Sequence, residues 1–358
     1  MSNLNCFELP IDITEVACVT DCWIFNRLII IKTSPNYNDW IASRYNIFAT
    51  SGYNFHFGDL SLTDPNYHDD ILERKQLNIF KIDQTNVVKE LSHKVAEGYY
   101  INIFIKQNKK IDKYHEVIIY GFDNETNSFL VVGHENRSFK KLNITYSLLT
   151  ETWPAIKNHF IFNSFRGMEL SLNYQYPATL FKLKENFNIE NCAVEAYKKI
   201  CKELQGSKVD VFSSQEFLNY IEPGVQYQGI ECLSAAHSMI NDMLNGKEFN
   251  SWFRGITSAI KKLYEHRKMI LLSMKYVYKK WQICMNEKSL LYINEYENNL
   301  KTIEKWLNLS LHYELTKNRK DLETILNDLP MIYTNEKTIL NNFIHHTIDW
   351  EIFNENFI

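Results

Sequence analysis

The chain has 358 residues, of which 45% are hydrophobic and 14% aromatic, enough apolar side chain for a full core and, at this length, for two domains rather than a disordered tether. A formal net charge of −4 gives no field that gathers a polyanion, which argues against nucleic acid as the principal partner. The opening MSNLNCFELP has no basic stretch followed by an apolar one, and runs such as Leu28 to Ile31 are too short to cross a bilayer, so a cytoplasmic protein with no membrane span is expected.

In chain order, Asp12-Ile13-Thr14-Glu15 has the form of a capping box and predicts a helix that runs through Trp23, Ile24, Phe25 and Leu28 to Ile31, stopping before Pro35. Cys18 falls near the start of that predicted helix. An aromatic segment, Trp40 to Phe57, follows. A second helix is expected over Asn86 to Ala96, ending at Gly98. Residues 95 to 165 then read as strands: Tyr99 to Ile105, Val117 to Tyr120 and Phe129 to Val132, parted by the turn-forming pairs Gln107-Asn108 and Asp123-Asn124. After about residue 185 the pattern changes to amphipathic helix over Ala193 to Leu204, Ile230 to Leu244, Trp252 to Trp281, Leu290 to Leu315 and Leu322 to Leu329. The expected class is α+β, with a sheet-bearing domain over 1–165, a helical domain over 166–358 and a boundary within Asn163 to Tyr176.

Seven cysteines, at 6, 18, 22, 192, 201, 232 and 284, show neither disulfide-framework nor zinc-ribbon spacing, so most are expected to be small buried hydrophobes and no metal site is predicted. A nucleophilic cysteine needs its thiolate stabilised, most simply by a helix N-terminus and a neighbouring imidazole. Cys18 meets the first condition if the helix starts where the capping box suggests. His115, opening the strand Glu116 to Asp123, would supply the second, and the order helix-Cys then strand-His is that of papain-like enzymes. The residues alone leave this pair balanced against a core cysteine and a solvated histidine. Cys22 is the rival nucleophile because Cys22-Trp23 matches the papain Cys-Trp pair, although Val19, Thr20 and Asp21 replace the Gly and small residue of that pattern. On the predicted helix Cys22 would lie a turn deeper than Cys18, which favours Cys18. His266, His345 and His346 have no sequence partners that would make them metal ligands.

The run Tyr114-His115-Glu116-Val117-Ile118-Ile119-Tyr120-Gly121-Phe122-Asp123, with Phe129 to Val132 and Ile144-Thr145-Tyr146 after it, resembles the butirosin-biosynthesis H-type family of papain-like proteins that accompany peptide and polyketide assembly lines. Ser51 to Phe57, Tyr264 to Met269 and Asn318 to Glu336 extend the likeness over nearly the whole chain. The resemblance implies a papain-like cysteine-protease fold followed by a mainly helical domain, with Cys18 as nucleophile and His115 as base. The family commonly has Asp where this chain has Gly133, so the orienting residue is sought in the next loop, at Asn136 or Glu135. Asn136 is the choice that matches papain. The implied reaction is acyl transfer from the phosphopantetheine thioester of a peptidyl or acyl carrier protein, through an acyl-cysteine, to a small amine, with no other cofactor. Similarity to the amide-forming enzymes of closthioamide-type assembly implies a diamine acceptor. The same site with water as acceptor would be a peptidase or thioesterase, and a degenerate one a binding protein. Lys261, Lys262, Arg267, Lys268, Lys275, Lys279 and Lys280 give one helix a basic aspect, read first as a solvated face and second as a surface for an acidic carrier protein.

Overall fold

The computed structural model describes residues 5–19, 22–44, 48–51, 54–57, 70–106, 114–135, 138–162, 178–185, 187, 191–211, 224–247, 255–349 and 351–353. They form two compact units, Met1–Tyr37 with Pro65–Asn188, and Asn38–Asp64 with Ile189–Ile358. In these bounds the division differs from the expected one: residues 38–64 group with the later part of the chain, and residues up to 188 with the first. The expected boundary, 163–176, lies outside the described residues.

The elements in chain order are β1 (Cys6–Glu8), α1 (Cys22–Ile31), α2 (Tyr37–Arg44), β2 (Phe48–Ser51), β3 (Asn54–Phe57), β4 (Leu72–Gln76), α3 (Val87–Ala96), β5 (Tyr100–Lys106), β6 (Tyr114–Asp123), β7 (Ser128–Glu135), β8 (Ser138–Thr145), α4 (Tyr146–Phe162) and β9 (Ala178–Leu183). There follow α5 (Cys192–Gln205), β10 (Ser207–Val211), β11 (Gly224–Gln228), α6 (Cys232–Leu244), α7 (Gly255–Lys280), α8 (Lys288–Thr316) and α9 (Arg319–His346). The protein is therefore α+β, with an antiparallel sheet and a mainly helical C-terminal region.

In the first unit the sheet runs β4-β9-β5-β6-β7-β8, all antiparallel. The first part of β6 pairs with β5 and its end pairs with β1, Glu8 opposite Gly121. Gly121 sits where the β6–β7 register shifts, and a Cβ there would lie 2.7 Å from the Phe7 carbonyl oxygen, so only glycine lets β1 approach. Strand alternation turns Ile101, Ile103, Ile105, Val117 and Ile119 to one face, where they meet Val87, Leu91 and Val95 of α3 and Trp153 and Ile156 of α4. The end of α3 matches the sequence expectation, with Gly98 at φ 89° just past it. The helix α4 falls in a stretch expected to be strand. Pro154, inside it, offers no N–H to the Thr150 carbonyl, and the Gln84 side chain donates to that carbonyl instead at 2.8 Å. Trp153 Nε1 donates to the Ile82 carbonyl at 2.9 Å, so the buried indole keeps its hydrogen bond.

The second unit is mainly helical, as expected of the C-terminal half, but also carries strands that the helical reading did not include. It contains a four-stranded antiparallel sheet, β10-β11-β2-β3, in which Gln226 to Gln228 pair with Ser51 to Ala49. Its helices do match the expected spans, although α9 runs well beyond the predicted Leu322 to Leu329. A buried ionic cluster ties α5, α7, α8 and α9 together. Arg267, 1% exposed, lies 3.3 Å from Glu203 and 3.2 Å from Glu336, and Tyr296 donates to Glu336 at 3.2 Å. His266, read from sequence as ordinary, is buried in the same cluster, 3.6 Å from Glu203, and burial beside Arg267 holds its imidazole well below the usual range.

Candidate active site

The head of α1 is where the sequence expectation needs correcting. The helix begins at Cys22, not near Cys18. Asp12 and Thr14 form a local turn rather than a capping box: Asp12 Oδ1 accepts from Thr14 N at 2.8 Å and from Thr14 Oγ1 at 2.7 Å, and Glu15 then adopts φ 43°. Lys32, just past the other end of α1, holds this turn by pairing with Asp12 at 3.2 Å and donating to Thr14. Cys18 lies ahead of α1, outside any helix or strand, and is fully buried. Next to it Tyr37, whose hydroxyl burial pushes up to about 12, hydrogen-bonds the Ala17 backbone. The argument from the positive end of a helix therefore passes from Cys18 to Cys22, the first residue of a ten-residue helix.

In α1, Ile24, Phe25 and Leu28 to Ile31 are buried together with the polar Asn26 and Arg27, and the helix packs against β6. A line of rings leads from it to His115. Phe25 stacks on Phe139 of β8 with centroids 3.7 Å apart, the Phe139 ring meets His134 of β7 edge-on at 5.3 Å, and His134 stacks on His115 of β6 at 5.2 Å and 16°. Cross-strand pairing creates this line, because His134 lies opposite Phe139 in the β7–β8 ladder. His115 Nδ1 lies 2.9 Å from the Glu116 carbonyl oxygen. With the proton on Nδ1 that carbonyl accepts it, leaving Nε2 as the basic nitrogen, which is the orienting task a third triad residue performs elsewhere.

The expected third members fare differently. Asn136 lies outside the described residues. Glu135 is exposed and pairs with Lys140 of β8 at 3.3 Å. Gly133 stands opposite Lys140 in the ladder. Among the described residues His134 stacks on His115, a neighbour that a search for a carboxylate or amide after this strand does not find. A second unforeseen feature is a buried polar line beneath the site. Asn26 Nδ2 of α1 donates to Asn102 Oδ1 of β5 at 2.9 Å, and Asn102 Nδ2 donates to Glu116 Oε1 of β6.

In the second unit, the basic aspect assigned to α7 is reduced, because Arg267 and Lys262 are buried rather than surface-facing. Lys275 pairs with Glu297 at 3.2 Å and Lys280 with Asp39 at 3.1 Å. Among the described residues no group of three or more His, Cys, Asp and Glu side chains is placed to hold a metal ion, and no helix is long and apolar enough to cross a membrane. Set beside known proteins, the chain matches no family model and no curated protein.

Proposed function

We propose that this chain is a papain-like cysteine acyltransferase of the butirosin-biosynthesis H-type family, forming an amide from a carrier-protein thioester and a small amine such as a diamine. The observation that carries the proposal is the ring line from Phe25, in the first turn of α1, to a His115 whose Nδ1 is held by the Glu116 carbonyl. It ties a histidine with a basic Nε2 to the helix that opens on a cysteine.

In this reading the thiol at the head of α1 loses its proton to His115 and attacks the thioester carbonyl. Amide N–H groups at the start of α1 hold the oxyanion. Collapse of the tetrahedral intermediate breaks the bond to the carrier sulfur, which leaves with the proton from His115. The amine then attacks the acyl-cysteine, His115 takes its proton, and the cysteine sulfur is released as the amide forms. The helix start favours Cys22 as the nucleophile, and the fully buried Cys18 becomes the comparison.

The test is product analysis with an acyl-thioester donor and saturating diamine. Amide should form, and Cys22→Ala and His115→Ala should each lower its rate by 100-fold or more. Full amide formation by both variants would refute the mechanism, and free acid as the main product under saturating amine would make the protein a hydrolase.

A further inference from the structure

We infer that the buried line Asn26–Asn102–Glu116 is the positioning element of this site, setting the cysteine helix against the histidine strand. The inference rests on the acyltransfer reading above and names the residues through which that pair is held. Asn26, Asn102 and Glu116 are 1%, 4% and 1% exposed, so their polar groups are removed from water and depend on hydrogen bonds within the protein. Asn26 Nδ2 donates to Asn102 Oδ1 at 2.9 Å and Asn102 Nδ2 donates to Glu116 Oε1. One line therefore joins α1, β5 and β6.

Its two ends bear on the two reacting groups. Asn26 is one turn along α1 from Cys22, on a helix whose other buried side chains are apolar apart from Arg27, which lies over the Phe181 ring of β9 at 5.6 Å. Glu116 follows His115, and its own carbonyl oxygen is the group 2.9 Å from His115 Nδ1. Anchoring the Glu116 side chain thus fixes the backbone that selects the His115 tautomer. Apolar contacts set how close α1 lies to the sheet, and directional hydrogen bonds set its register and rotation. A cysteine–imidazole pair needs the second kind of control, because a displacement of about 1 Å at the reacting groups already costs on the order of 100-fold in rate.

Thiol reactivity reads this out independently of turnover. Iodoacetamide alkylation of the intact protein is followed against pH, with the modified cysteine located by peptide mass spectrometry. An imidazole-paired thiol in the wild type keeps a fast rate at pH 6 that His115→Ala abolishes. The inference predicts that Glu116→Leu and Asn26→Leu each lower the pH 6 rate at that cysteine at least 10-fold, while Glu116→Gln, which keeps an acceptor for Asn102, stays within 2-fold of wild type. Where Glu116→Leu does not give the wild-type far-ultraviolet spectrum, Asn26→Leu carries the test. Folded leucine variants with the wild-type rate at pH 6 would overturn the inference and leave the Cys–His pair standing. A wild type with no His115-dependent rate would remove the pair and the inference together.

Discussion

Lys199 carries a prediction that follows from burial alone. Its side chain is 3% exposed on α5, with Nζ 3.3 Å from the Ile41 carbonyl and 3.5 Å from that of Ala42. Burial pushes its ammonium down to about 7 from 10.5, with the Glu203 carboxylate opposing the shift. A lysine lowered in the folded state binds its proton less tightly than in the unfolded chain, so the fold carries a penalty that is relieved as pH rises from about 7 towards 10.5. One full pKa step is worth about 1.4 kcal/mol, and because the group is half-titrated near pH 7, the gain between pH 7 and pH 9 is about 2 kcal/mol. Glu203, raised by burial to about 7, acts the opposite way, losing stability as pH rises from its unfolded value of 4.5 to about 7, and so does not contribute strongly above that window. His266, held low, gains stability up to its ordinary 6.5 and is likewise spent. Cysteines raised by burial begin to oppose the gain above 9, which sets the upper limit of the experiment. Urea unfolding followed by the helical circular dichroism signal at pH 7, 8 and 9 should show stability rising in the wild type, and the rise should be lost in Lys199→Met. Parallel pH dependences for the two proteins would refute the reasoning.

Two further substitutions test the packing. Arg267→Met strips the guanidinium from Glu203 and Glu336, two carboxylates nearly sealed from water, and should cost about 3–5 kcal/mol in urea unfolding. Gly121→Ala forces a methyl against the Phe7 carbonyl and Leu130, and should lower stability by about 1–3 kcal/mol with faster hydrogen exchange across Cys6–Glu8 than in the rest of the sheet.

What could be read from the sequence was what local periodicity encodes. The α3 span with its Gly98 stop, the strands around 100–105, 117–120 and 129–132, and the helices from α5 onward all have a pattern visible within a dozen residues. The failures are long-range. Asp12 and Thr14 have the composition of a helix cap, yet Lys32, eighteen residues past Thr14, stabilises them as a turn and the helix waits for Cys22. Pro154 argues against a helix until Gln84 supplies the donor its ring lacks. The second sheet joins residues 48–57 to residues 207–228, a pairing no local pattern announces. In the candidate site, His115 was found because it opens a strand. His134 was not, since its stacking on His115 comes from the placing of β7 beside β6, and neither was the Asn26–Asn102–Glu116 line, whose members read in sequence as scattered polar residues.

The central claim, a cysteine at the head of α1 that carries the acyl group, is tested most directly by intact-protein mass spectrometry after brief exposure to an acyl-thioester without amine. The account predicts a mass increase equal to one acyl group, mapped to the peptide containing Cys22, absent in Cys22→Ala and discharged as amide when diamine is added. An adduct on Cys18 that persists in Cys22→Ala would move the nucleophile to Cys18, and a wild-type protein that acquires no acyl group on either cysteine would contradict the account.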